Sequence, residues 1–164
     1  MLNASTREDF LQNGVVQPIV TDSAILGLYG PYRCLSNFHK HPFVFRGRTY
    51  QTSEAAYMSE KTLDPREKDY LATLYEGKEA KAYGYQITLR DEWDDRHRIH
   101  AMYRVLFAKF TQDISSLNVL LSTGDKYIEE TNWWGDVYWG RCGGVGTNHL
   151  GSILMTIRDF VKAK

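Results

Sequence analysis

The residues with the clearest chemical potential lie in YQTSEAAYMSEK, residues 50 to 61. Glu54, Tyr57, Met58 and Lys61 recur at i, i+3, i+4 and i+7, so on a helix they share one face. That face carries an acid at one end, a base at the other and apolar groups between. As the wall of a site, it would offer Glu54 to activate water or steady a cationic sugar, with Lys61 orienting the acid or binding substrate. As an ordinary half-buried helix, it would carry Glu54 only as a helix-start acid favoured by the macrodipole. Spacing alone leaves both readings open.

Three further groups have chemical character. YWGRCGGVGTNHLG places glycines at 140, 143, 144, 146 and 151 before an apolar helix pattern, which would let backbone N–H groups approach a phosphate or diphosphate. It contains no GK[ST] and follows no convincing parallel strand, so it is neither a P-loop nor a dinucleotide fingerprint. A plain glycine-rich loop is the competing reading. Trp133, Trp134, Tyr138 and Trp139 crowd beside it, off helical spacing, and serve either as ligand walls or as a satellite apolar cluster. CLSNF, residues 34 to 38, presents Ser36 and Asn37, which would cap a turn or, for Asn37, read a base or hydroxyl.

The remaining reactive types form no pattern. His39 with His41 and His97 with His100 lack HExxH or zinc-spaced cysteines, so no metal is expected. Cys34 and Cys142 make neither a CxxC pair nor a disulfide framework, which fits a reducing compartment.

These groups need elements to position them. AILGLYG, 24 to 30, reads as a buried strand ended by Gly30-Pro31. PFVF and RTYQ flank Arg46-Gly47 as a hairpin, after which Thr52 or Ser53 caps the helix bearing Glu54. Asp64-Pro65 opens a helix expected to reach Gly77 as its C′ residue, and KEAKAYG a shorter one stopping at Gly84. From Asp91, Ile99, Met102, Tyr103, Leu106, Phe107 and Phe110 mark a long amphipathic helix. Asp113 caps another, with Ile114, Leu117, Leu120 and Leu121 inward and Gly124 at its end. Leu150, Ile153, Leu154, Ile157 and Val161 share one face of the last. The sum is an α+β domain, mostly helical, with a small antiparallel sheet.

The chain has 164 residues, enough for one domain with a real core. Residues 1 to 23 read as an extension of uncertain order, and 24 to 164 as the domain. Lys+Arg and Asp+Glu both total 20, so no net field draws in a polyanion or an anionic membrane. No apolar run approaches the roughly 18 residues of a membrane span, and no signal-peptide pattern is present, so a cytoplasmic protein is expected. Aromatics at 13% point weakly to a stacking ligand.

LSNF, TYQTSEAAYMSEK, EAKAYG, EWDDRHRIHAMYRVLFAKF, LLSTGDKYIEET and WG…GVGTNHLG, in this order from about residue 27 to the C-terminus, resemble the YbiA-like, or NADAR, family. The resemblance implies an α+β fold and hydrolysis of the N-glycosidic bond between ribose and a base. Its substrates would be phosphoribosylated pyrimidines of riboflavin synthesis or ADP-ribose on guanine, free or in DNA, the second being preferred. The family's catalytic glutamate carries over to Glu54, and its lysine one helical face later to Lys61. The Trp that opens the long helix matches Trp93, W-G matches Trp139-Gly140, and N-x-L-G matches Asn148 to Gly151.

Two departures stand out. Ala55, Ala56, Tyr57 and Met58 follow the acid where relatives often have His-x-[Phe/Tyr]-Gln, and Arg141 follows W-G where some have Asp. On this resemblance, Ser36, Asn37, Phe38, Tyr57, Trp93, Trp139, Gly140, Gly144, Gly146 and Asn148 would bind substrate. Trp139, Trp93 or Tyr57 would face the leaving base and the 143–151 loop its phosphates, with Asp136 a possible second carboxylate. No cofactor, membrane or stable protein partner is implied. A module that binds ADP-ribose or NAD without cleaving it is the alternative from another class.

Overall fold

The computed structural model describes residues 6–164. The expected extension, 1 to 23, therefore begins outside the described residues. The strands are β1 (Leu11–Gln12), β2 (Val15–Val16), β3 (Ile19–Val20), β4 (Ala24–Leu26), β5 (Lys40–Phe45), β6 (Arg48–Thr52), β7 (Tyr127–Glu129), β8 (Thr131–Asn132) and β9 (Arg141–Cys142). The helices are α1 (Ser53–Glu60), α2 (Pro65–Thr73), α3 (Gly77–Tyr83), α4 (Asp95–Gln112), α5 (Ile114–Ser122) and α6 (His149–Lys162). The α+β class, mostly helical, is what the sequence leads one to expect. Two compact units divide the chain, one of residues 37 to 117 and the other of the flanking segments.

In the 37–117 unit, β5 and β6 form the expected antiparallel hairpin, pairing Phe43 with Tyr50 and Phe45 with Arg48. Arg46 and Gly47 both take positive φ, 48° and 77°, as a two-residue turn of matching twist demands. The chain passes directly from β6 into α1, whose cap is Thr52: its hydroxyl accepts from the Ala55 N–H at 3.2 Å. Helices α2, α3 and α4 pack against α1, and all eight of its residues are buried. Glu60 at its end is held by Arg46 at 2.9 Å and Arg104 at 3.3 Å, so a buried carboxylate keeps two cations.

Three boundaries here differ from the sequence expectation. Helix α2 stops at Thr73 because Leu74 is extended, and Gly77 starts α3 instead of ending α2. A Cβ at Gly77 would lie 2.7 Å from the Phe38 ring, so close packing, not a C′ conformation, demands glycine there. Helix α4 starts at Asp95, since Asp94 and not Asp91 accepts the His97 N–H, at 2.8 Å, and Trp93 precedes the helix instead of opening it. Asp113 does cap α5 through the Ser116 N–H at 3.0 Å, but Ile114, expected inward, is 59% exposed.

In the other unit, β3 pairs antiparallel with β4, and β4 pairs parallel with β7, matching Ile25 to Ile128. β1 and β2 form a hairpin, and β8 and β9 are parallel, so pairings of both senses stand where one small antiparallel sheet was expected. Parallel pairing of β4 with β7 needs the long crossover that the intervening hundred or so residues provide. Helix α6 lies on β7 and buries Leu150, Ile153, Leu154 and Ile157. Gly151 permits this approach: a Cβ there would be 2.1 Å from the Ile128 carbonyl.

Candidate active site

Helix α1 sets the geometry. Its N-cap fixes the first turn, so the Glu54 side chain leaves a rigid element and is only 6% exposed. The Glu54 N–H donates to the Asn37 carbonyl at 3.1 Å, tying the LSNF segment to the start of the helix. The Asn37 amide is buried and its Nδ2 donates to Met102 Sδ at 3.4 Å. Its Oδ1, like the neighbouring Ser53 Oγ, has no hydrogen-bond partner among the described residues. A buried acceptor without a donor is uncommon enough to need a cause, and a donor from a ligand or from water would be one.

One turn further, Tyr57 packs on Trp93 with ring centroids 5.7 Å apart. At the end of the helix, Lys61 donates from Nζ to the Gly84 carbonyl at 3.2 Å and lies 5.7 Å from the centroid of the Tyr85 ring. Burial lowers its pKa, the Glu54 carboxylate raises it, and Arg98 and Lys81 lower it further. The i, i+7 face is therefore an electrostatic unit with Glu54 and Lys61 in range of each other. Ala55, Ala56 and Met58, which follow the acid, are all buried. Phe38 is half-buried against Gly77.

The other expected residues belong to the second unit. Ser36 N–H donates to the Arg33 carbonyl at 3.1 Å and its Oγ accepts from Arg33 at 3.3 Å, which is a turn cap. Asn148 holds the left-handed conformation, φ 54°, that asparagine tolerates. Its Nδ2 donates to Ile128 O at 2.9 Å and Tyr127 OH at 3.0 Å, and its Oδ1 accepts from Glu130 N at 3.0 Å. Asp136 Oδ1 accepts from the N–H groups of Tyr138 at 3.1 Å and Trp139 at 2.9 Å, so its carboxylate organises the turn that presents Trp139-Gly140. Trp139 packs edge-on against Tyr138 at 4.9 Å. A Cβ at Gly140 would lie 2.0 Å from the Glu130 carbonyl and one at Gly146 2.4 Å from the Gly140 carbonyl, while Gly144 takes φ 78°. Chain-on-chain contact thus accounts for Gly140 and Gly146, and backbone conformation for Gly144. Arg141 pairs with Glu129 at 3.4 Å and donates to the Gly144 carbonyl. Trp133 stacks with Tyr29 and Phe10, an apolar cluster, whereas Trp134 is exposed.

Sequence reasoning did not single out Lys81, Tyr85 and Arg98, the neighbours of the Lys61 ammonium. Gly84 was legible only as a stop signal; its carbonyl also accepts from Lys61 Nζ, and a Cβ there would lie 2.2 Å from Met58 Sδ, both tertiary contacts.

The NADAR domain profile matches residues 28–162. The N-glycosidase YbiA of Escherichia coli (strain K12) is 31% identical over 151 residues, covering 88% of this chain and 92% of that one. The N-glycosidase Npun_R5314 of Nostoc punctiforme is 31% identical over 142 residues, 82% and 89% of the two chains. The riboflavin biosynthesis protein VVA0006 of Vibrio vulnificus is 31% identical over 128 residues, 76% of this chain and 34% of that one. Among solved structures, the NMR structure of E. coli YbiA superposes with a TM-score of 0.76 at 28% identity, covering 88% of each chain.

Proposed function

The chain belongs to the NADAR family, and from that premise we propose that it is an N-glycosidase hydrolysing the bond between ribose C1′ and a base nitrogen. The observation that carries this is Glu54, a carboxylate fixed on the buried first turn of α1 with Lys61 in electrostatic range on the same face. As the C1′–N bond breaks, its electron pair leaves with the base and the sugar takes on oxocarbenium character, which a nearby carboxylate stabilises. Water adds its oxygen to C1′ and gives one proton to Glu54, and a proton returns to the leaving nitrogen, so the step balances. Asn37 Oδ1 would accept from a sugar hydroxyl or a base N–H. Trp93, on the Tyr57 ring, would face the base, a stacking contribution of about 1–3 kcal/mol.

ADP-ribose on guanine, in nucleotide or DNA, is the substrate put first, because the buried Ala55 and Met58 leave α1 without the polar groups that relatives often carry after the acid. The phosphoribosylated pyrimidine is the second reading, favoured by the name of the Vibrio relative. Wild type and Glu54→Gln are to be offered ADP-ribosylated guanine DNA and the ribosylamino-pyrimidine phosphate, with released base or ADP-ribose followed by mass spectrometry. Release by wild type and a loss of at least about a hundredfold in the variant is expected, the scale of a missing acid–base group. Full activity in Glu54→Gln would sink the mechanism, and binding of ADP-ribose without release from either substrate would leave a reader instead of an enzyme.

A further inference from the structure

On the hydrolase reading, the substrate carries at least one phosphate, and the structure bears on where it is held. The glycine-rich loop was the sequence expectation, yet its donors are largely spent. The N–H groups of Arg141, Cys142, Val145, Thr147, Asn148, His149 and Leu150 all donate to backbone carbonyls, which closes the first turn of α6 as well. An anion at that helix start would find few donors unpaired.

The cations are elsewhere. Lys61 reaches from the end of α1 to the carbonyl of Gly84, the residue that ends α3, and Lys81 lies in the last turn of that helix. Trp93, packed on Tyr57 one turn before Lys61, brings the approach to α4 against α1, and Arg98 sits on the first turn beyond. Tyr85, 76% exposed, follows Gly84 with its ring beside the Lys61 ammonium.

We propose that Lys81 and Arg98, together with Lys61, form the subsite for the phosphate of the ribosyl substrate, with the Tyr85 ring as its rim. Of its cations, Arg98 already has an acid partner and Lys81 has none among the described residues. Asp95 takes Arg98 at 3.0 Å, Asp94 takes His97 at 2.8 Å and Glu92 takes Arg90 at 3.3 Å. The Glu54 carboxylate favours the Lys61 ammonium, against repulsion from both other cations. A phosphate between them turns that repulsion into charge-assisted hydrogen bonds. The phosphate would sit one helix length from the carboxylate that acts at C1′, since residues 54 and 61 are separated by about 10 Å of helix rise.

The test measures binding of ribose 5-phosphate and of ribose by calorimetry, to wild type, Lys81→Gln, Arg98→Gln and the control Lys78→Gln, an exposed lysine on the first turn of α3. Wild type is expected to prefer the phosphate ester, Lys81→Gln and Arg98→Gln to lose about tenfold of that preference each, and Lys78→Gln to keep it. No preference in wild type, or a preference untouched by both Lys81→Gln and Arg98→Gln in variants that melt like wild type, overturns the subsite. A Lys81-dependent preference in a protein that hydrolyses neither ribosylated base keeps the subsite and rejects the hydrolase reading, so the two stand or fall separately.

Discussion

Burial pushes the Lys61 ammonium below the ordinary lysine range, the carboxylate of Glu54 pushes it back up, and Arg98 and Lys81 push it down again. Folded Lys61 thus releases its proton at lower pH than the unfolded chain does. The charged form costs the fold stability at neutral pH, and that cost is relieved as pH rises through the lowered value. Removing one neighbour at a time gives opposite signs. In a titration of the Lys61 side chain by NMR of labelled lysine carbons, Glu54→Gln moves the midpoint further down, because an attractive charge is gone. Lys81→Gln moves it up, because a repulsive charge is gone. A midpoint indifferent to Glu54 would mean that acid and base share a helix face without sharing a field. The face itself was readable from the sequence, since i, i+7 spacing fixes which residues align once a helix forms. Lys81 and Tyr85 were not, because a turn docked by tertiary contact puts them there.

Caps and close approaches decide the elements. Thr52 is fully buried and its hydroxyl satisfies the Ala55 N–H, so Thr52→Ala destabilises by about 1–2 kcal/mol, read as a lower urea midpoint at unchanged slope. Two glycines that pack tightly should respond unequally to alanine. At Gly151 the Cβ meets the Ile128 carbonyl, part of the strand β7, which cannot turn aside; at Gly84 it meets Met58 Sδ, on a flexible chain that can. Gly151→Ala is expected to cost about 2 kcal/mol or more and Gly84→Ala about 1 kcal/mol or less, by the same denaturation measurement. Equal losses would mean that the core around Met58 is as unyielding as a strand. These contacts also explain which boundaries were legible. The hairpin and the α1 and α5 caps follow from local chemistry: a glycine with positive φ at 47, and hydroxyl or carboxylate acceptors at 52 and 113. Gly77 misled because glycine at a helix end and glycine under an aromatic ring look the same in a sequence. The long helix was read from Asp91, but the hydrogen bond that caps it goes to Asp94, three residues on.

Charge is the property that belongs to the whole molecule. Twenty cations and twenty acids give no net field, and no helix among the described residues is long and apolar enough to cross a membrane. Much of the charge is spent internally, as at Glu60 with Arg46 and Arg104, and at Arg48 with Asp69 at 2.7 Å. If the substrate is a modified guanine in DNA, contact is then local, through the few cations near Lys61, and not along an extended groove. Counterion release turns this into a slope. For DNA-borne substrate, log kcat/KM in the subsaturating regime should fall with log salt by about 2–3, matching a few phosphates, where a protein covering 6–10 phosphates would lose several times more. Lys81→Gln should flatten that slope by about 1. A steep slope unaffected by Lys81 would place DNA binding on a surface other than the α3–α4 end of α1, while a shallow slope with the free nucleotide cleaved as fast as the DNA would make the duplex incidental to the substrate.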